Sequence, residues 1–252
     1  MDHLTAQPEQ DPRTIEGAKQ QVRDRIWALL EREGAAKPPG RVFGKIPNFL
    51  GAEAAADQLA ALTAWEAARV VKANPDKAQR AVRARALTLG KVLYMAVPRL
   101  ADELPFYLLD PERLSMSPWE AAAKEGAAKV GQKVGARELP SVDLVICGSV
   151  AVNRQGARVG KGGGFSDLEV AFLVEAGVIR PDTVLATTVH PLQVVDEPIP
   201  ETIHDFRVDL IITPDEAIWC AEPHRPPGIL WEHLDQDKIA EIPVLVALAA
   251  RR

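Results

Sequence analysis

The stretch Val142–Val152 constrains this chain more than any other, because it is apolar and runs into Gly156-Ala-Arg-Val-Gly-Lys-Gly-Gly-Gly-Phe-Ser-Asp167. A continuous apolar run of this kind predicts a strand buried on both faces. Leu168 to Ala176 predicts a helix. The loop between them carries five glycines and two basic side chains. Glycines let main-chain N–H groups approach an anion closely, and a helix N-terminus adds a favourable partial charge. Arg158 and Lys161 can pair with phosphate oxygens. Asp167 is unsuited to direct phosphate contact but suits a magnesium ion carried by the phosphate. Glycine clusters often mark plain turns; the flanking strand and helix, with Arg158, Lys161 and Asp167 in the loop, favour anion binding. The loop is not a Walker A sequence, since Gly162 follows Gly160-Lys161 where Ser or Thr is required. It does not give a full Gly-x-Gly-x-x-Gly fingerprint either.

Other segments predict alternating helices and strands. Thr14 to Glu33 reads as a helix with Thr14 as candidate N-cap and an apolar stripe through Ile15, Val22, Ile26, Leu29 and Leu30. Lys19 and Arg23 lie four apart on one face of it, which on spacing alone is a solvated basic edge. Lys37 to Phe49 reads as a loop and Ala52 to Ala67 as one helix. Ala68 to Ala73 predicts a strand closed by Asn74-Pro75-Asp76, Gln79 to Leu89 a helix, and Val92 to Val97 a strand closed by Pro98-Arg99. That order is a βαβ unit, which gives parallel pairing. Phe106 to Leu109, Thr183 to Val189 and Val208 to Thr213 predict further strands. Pro118 to Lys129, Leu230 to Ala240 and Val244 to Ala250 predict helices. The expected architecture is a three-layer α/β protein with a mostly parallel sheet, helices on both faces, and a ligand at the carboxyl ends of the strands.

Bulk properties exclude several classes. With 252 residues and 47% hydrophobic content, a large core is available. A net charge of −5 argues against a general nucleic-acid binder. No apolar run is long enough for a transmembrane helix, so no membrane partner is expected. Cys147 and Cys220 imply no disulfide framework and fit a reducing, cytoplasmic setting. Residues 1–13 read as a flexible polar arm. The five histidines, His3, His190, His204, His224 and His233, form no zinc-type pair in sequence. Ser166 beside Asp167 reads as a helix N-cap rather than a nucleophile.

The glycine loop, taken whole from Asn153 to Asp167, resembles the basic glycine-rich loop of the 5-formyltetrahydrofolate cyclo-ligases, also called methenyltetrahydrofolate synthetases. Lys19 and Arg23 match that family's Lys-x-x-x-Arg spacing, Pro98-Arg99 its strand end, and His204 to Asp209 its late acidic turn. The similarity runs from about Thr14 to Pro214, with residues 215–252 as a C-terminal extension packed on the domain. It implies a NagB/RpiA/CoA-transferase-like fold and an ATP- and magnesium-dependent ligase of one-carbon metabolism acting on a small reduced folate. In that chemistry ATP phosphorylates the formyl oxygen, N10 attacks the activated carbon, and phosphate leaves. A formamide oxygen leaves poorly without phosphate, so the site must neutralise moving phosphate charge and align two reacting centres. The resemblance gives catalytic roles to Lys19, Arg158 and Lys161. It places ATP against Lys19, Arg23, Arg158, Gly160, Lys161, Gly162, Gly163, Gly164 and Phe165, and magnesium on Asp167 and Asp205. It places the substrate against Gln79, Met95, Arg99 and Phe165.

This chain also departs from the pattern. Ser166 replaces the second aromatic before Asp167, and Leu100 replaces the aromatic after Pro98-Arg99. The substrate-holding carboxylate falls at Gln79, or at Asp76 with a shifted register. These changes touch the folate side and leave the ATP side intact. Paralogues of the family with a link to thiamin metabolism are similar in this respect. Three functions remain open: the folate ligase, an ATP-using relative with another small formyl or amide substrate, and a metabolite-binding protein without turnover.

Overall fold

The structure, a computed structural model, describes residues 12–250. The expected arm over residues 1–13 therefore lies outside the described residues, save for the first two positions of the first helix. Helix α1, Pro12–Arg32, starts two residues before Thr14. Thr14 thus falls inside the helix and is not the cap.

The predicted helix over 52–67 is two helices, α2 (Ala52–Ala60) and α3 (Thr63–Ala67). Leu62 between them is extended, and the turn lets Trp65 bury its ring under the Lys91 ammonium, 5.3 Å from the ring centre. Then follow β1 (Val70–Ala73), α4 (Arg80–Thr88), β2 (Val92–Ala96), β3 (Phe106–Leu109), α5 (Pro118–Ala121), α6 (Lys124–Val130) and β4 (Gln132–Val134). Next come β5 (Leu144–Cys147), β6 (Ala151–Asn153), β7 (Arg158–Val159), α7 (Phe165–Glu175), β8 (Val184–Thr188) and β9 (Val194–Val195). The chain continues through β10 (Leu210–Ile212), β11 (Ala217–Trp219), α8 (Gln236–Glu241) and α9 (Pro243–Ala249).

Eight strands form the main sheet in the order β11-β10-β8-β5-β1-β2-β3-β4. The five from β10 to β2 are mutually parallel, and β3, β4 and β11 add antiparallel edges. The sheet is mostly parallel, as the βαβ pattern requires. Its strands alternate between two cores. Val71, Ala73, Leu93, Met95, Leu144 and Ile146 face the helices α2 to α6. Tyr94, Ala96, Val145, Cys147 and Ile211 face α7 and the C-terminal helices. Both sides of the parallel strands are therefore covered, which explains their apolar sequences.

The apolar run 142–152 does not continue as one strand. It leaves the main sheet after Cys147 and re-forms as β6 in a second sheet, β7-β6-β9. Gly148 is the crossing point: a Cβ there would lie 2.8 Å from Ile46 and 3.0 Å from the Asp76 carboxylate. Helix α1 lies over the small sheet, packing Ile26, Trp27 and Leu30 against Val150, Ala151 and Val159. Lys19, Arg23, Ile26 and Leu30 share one helical face. The apolar end of that face docks on the small sheet, which fixes where its charged end points.

Candidate functional site

A cavity of about 660 Å³ opens at the carboxyl ends of β1, β2 and β5. Its walls come from α1 (Glu16, Lys19, Arg23), the turn after β1 (Asn74 to Asp76), the end of β2 (Ala96 to Leu100) and Gly148. The glycine loop and the start of α7 form its floor, Val159 to Glu169. The turn at Thr202 to Asp205 and the later residues Pro226 to Lys238 complete it.

Lys19 and Arg23 are not a solvated edge; both are buried, at 7% and 3% exposure. The Lys19 ammonium donates to both oxygens of Asp205, at 2.7 and 2.6 Å. The main-chain N–H and hydroxyl of Thr202 donate to the same carboxylate, at 2.6 and 2.8 Å. Burial pushes the Asp205 carboxyl up, but these donors outweigh it, and its pKa is held below the usual aspartate value. Arg23 donates through Nε to the carbonyl of Gly160 at 2.8 Å and pairs with Glu16 at 2.6 Å. It therefore ties the glycine loop to α1.

Gly162 holds a positive φ of 101°, and a Cβ there would stand 3.6 Å from the Arg23 guanidinium. Any side chain at this position would fill the cradle above Arg23. Gly164 caps α7 in the left-handed conformation, at φ 65°. The helix consequently starts at Phe165, earlier than its apolar pattern predicts, and Ser166 lies inside the first turn rather than at the cap. Lys161 is exposed on the loop and makes no hydrogen bond or ion pair among the described residues. Asp76 faces it across the cavity. Burial raises the Asp76 carboxyl pKa, and the positive charges of Lys161, Arg83 and Lys72 oppose that rise.

Arg158 lies beneath the wall. Its guanidinium is ion-paired with Asp167 and covers the Phe206 ring at 3.9 Å. Burial raises the Asp167 pKa; Arg158 opposes this and the nearby Asp205 reinforces it. A second buried pair joins the main sheet to α7: Lys72 meets Glu169 and donates to the Asn74 side chain at 2.6 Å. Burial pulls the Lys72 pKa down to about 7, with Cys147 and Asp76 opposing the drop and Arg158 adding to it.

Two residues expected at the substrate lie elsewhere. Met95 points into the core under α4 and is fully buried. Gln79 is also buried, donating to Thr188 Oγ1 at 3.1 Å. The position on the wall is Asp76, the alternative register, because the turn after β1 turns toward the cavity before α4 begins. Arg99 does line the cavity, in a left-handed conformation shared with Leu100, with φ of 60° and 52°.

Sequence reading missed three features. His204 and His233 meet at 3.1 Å on the cavity wall although 29 residues separate them. Lys238 sits 4.4 Å above the Phe165 ring. Arg83 is buried and donates to the carbonyls of Asp76 at 3.0 Å and Ala122 at 2.9 Å, and also to that of Asn74. It thereby holds the turn that presents Asp76. All three depend on long-range packing and leave no local spacing signal.

The sequence pattern of the 5-formyltetrahydrofolate cyclo-ligase family matches residues 15–214. The chain belongs to that family. It is 40% identical over 245 residues to a mouse methenyltetrahydrofolate synthase domain-containing protein, and 36% identical over 247 residues to the human one. These matches cover 94% and 96% of this chain but 65% and 64% of the relatives, so the chain spans a little under two thirds of their length. The solution structure of an Aquifex aeolicus 5,10-methenyltetrahydrofolate synthetase has the same fold, with a TM-score of 0.53 at 17% identity. That likeness covers 86% of this chain and 99% of the Aquifex one. No helix among the described residues is long and apolar enough to cross a membrane.

Proposed function

We propose that this chain uses ATP to close 5-formyltetrahydrofolate to 5,10-methenyltetrahydrofolate, with release of ADP and phosphate, in the cavity at the strand ends. One observation carries the reading. Lys161 stands without an ion-pair partner on a loop whose glycines leave open space above Arg23. An unpaired cation beside exposed main-chain donors is the electrostatic requirement of a polyphosphate site.

ATP supplies the phosphate that makes the formyl oxygen a leaving group. The chain's own residues do the rest. Lys161 neutralises phosphate charge, assisted by main-chain donors of Gly162, Gly163, Gly164 and the first turn of α7. Arg23 holds the loop in place through the Gly160 carbonyl. Lys19 brings a second cation to the same wall, its charge balanced by Asp205 until an anion arrives. Arg158 acts as a positioning residue, aiming Asp167. Asp76 holds the formylated end of the substrate in the role sequence first offered to Gln79. The walls exclude water from the reacting atoms, and Arg99 and Phe165 border the substrate end.

Magnesium fits this donor set only in company with the nucleotide. No group of three candidate metal ligands occurs among the described residues, and Asp167 and Asp205 are each engaged by a cation. Magnesium carried on phosphates needs one or two carboxylates and keeps its waters, so Asp167, the less fully bonded of the two, is its anchor in this reading.

The test is methenyl absorbance on mixing protein, 5-formyltetrahydrofolate, ATP and magnesium. Product is expected only when both ATP and magnesium are present. Nucleotide binding without product would reject the folate reaction. It would favour a second reading, the same ATP chemistry on another formyl or amide metabolite such as a thiamin-related one. The replacements at Leu100 and Ser166 are the observations on that side.

A further inference from the structure

The last wall of the cavity comes from residues 226–238, beyond the 15–214 span that the family pattern matches. Pro226, Gly228, Ile229, Leu230, Leu234 and Lys238 all line it. The segment is anchored at several points. Arg225 donates to the Arg207 carbonyl at 2.9 Å and pairs with Asp209. The N–H of Ile229 donates to Glu175 Oε2 at 3.0 Å, on α7. His233 meets His204, and Lys238 covers Phe165. A match over 96% of the chain cannot fit within residues 1–214, so the human relative shares sequence with this tail.

Cations predominate on this side of the cavity. Arg99, Lys124 and Lys238 line it, and none is paired with a cavity carboxylate. Of the cavity carboxylates, Glu16, Asp167, Glu169 and Asp205 are engaged by Arg23, Arg158, Lys72 and Lys19 instead, and the fifth, Asp76, is faced by Lys161, Arg83 and Lys72. The carboxylate nearest Lys238 is Glu241 at 3.5 Å, largely exposed and so a weak partner. The turn carrying Arg99 packs against α7, the helix whose first residue is Phe165. The aromatic face of Phe165 thus carries the Lys238 ammonium rather than a second ring.

We propose that residues 226–238 are the substrate-selecting wall of the cavity, and that Lys238 reads a carboxylate on the substrate beside Phe165. This rests on the ligase reading above. It assigns the acceptor to the anionic heterocycles, with an apolar body against Leu230 and Leu234 and a carboxylate at the Lys238 side.

The test uses the full chain as wild type, Lys238→Ala, Lys238→Arg and Lys238→Glu. The probes are 5-formyltetrahydrofolate and its glutamate dimethyl ester, with calorimetric binding and methenyl formation as readouts. Lys238→Ala should raise Kd and KM for the free acid about fivefold with kcat unchanged, a partly exposed ion pair's worth. Lys238→Glu should raise them further and Lys238→Arg should restore them. The ester should bind the wild type as weakly as the acid binds the Ala variant and should ignore the substitution. ATP affinity should be the same in all four proteins. Turnover with unchanged constants across the series overturns the inference and leaves the ligase reading standing. Lys238-dependent binding without turnover does the reverse. Failure of the wild type to bind the acid overturns both.

Discussion

Lys72 and Glu169 meet where both side chains are almost fully removed from water. Each charge there is tolerable because the other is present; alone, either would be a buried ion without compensation. Lys72→Met or Glu169→Gln should therefore cost about 3–5 kcal/mol in urea unfolding. The double variant with Met and Leu should recover much of that loss. Lys161 is the opposite case, an exposed cation with no hydrogen bond or ion pair among the described residues. Lys161→Ala should leave the urea midpoint within error of wild type. It should weaken ATP binding about tenfold or more by calorimetry, the worth of one hydrogen bond to a charged group. Equal ATP affinity in the two proteins would remove the loop from the nucleotide site.

At the scale of elements, two glycines separate backbone need from ligand need. Gly156 turns β6 into β7 at φ 91°, and a Cβ there would lie 2.2 Å from the Val208 carbonyl oxygen. Gly164, at φ 65°, has nothing within 4 Å. Gly156→Ala should lose about 2–4 kcal/mol, from strain and a main-chain clash. Gly164→Ala should lose about 1 kcal/mol, from the left-handed conformation alone. Chemical denaturation of the two variants checks the order. The same elements show what the sequence made legible. The parallel strands were readable because burial on both faces writes an uninterrupted apolar run. The break inside Val142–Val152 was not, because Gly148 is required by Ile46 and Asp76, which come from distant turns. Short edge strands such as β4 and β11 carry no pattern of their own; the sheet beside them decides their state. At the site, the glycine loop was local and visible, whereas the Lys19–Arg23 spacing alone pointed to a solvated edge and only the packing of α1 buries the pair. The choice of Asp76 over Gln79 turned on which way the chain bends after β1, which is a packing outcome.

For the whole molecule, acid is the informative perturbation. Burial, and then the neighbouring His233, holds the His204 pKa below that of an ordinary histidine; Asp205 works against this, Lys19 with it, and Glu232 against it. The folded state thus takes up this proton less readily than the unfolded chain. Stability is expected to fall as pH drops through about 6.5, the unfolded value. Asp205 has a lowered pKa, so its contribution is complete above about pH 4 and is lost below that. Thermal melts should show a first decline in Tm between pH 7.5 and 5.5 that is shallower in His204→Asn. A second decline, below about pH 4, should be shallower in Asp205→Asn. A first decline of equal slope in wild type and His204→Asn would show that the histidine contact does not report on folding.

Residues that enclose the cavity start at Glu16 on the first helix and finish at Lys238, near the last. During synthesis, a ribosome would release the glycine loop long before the far rim of the cavity exists. Competence to bind would then arrive late and all at once. A ligand present during refolding would favour the closing stages of assembly while leaving early strand pairing at its own pace.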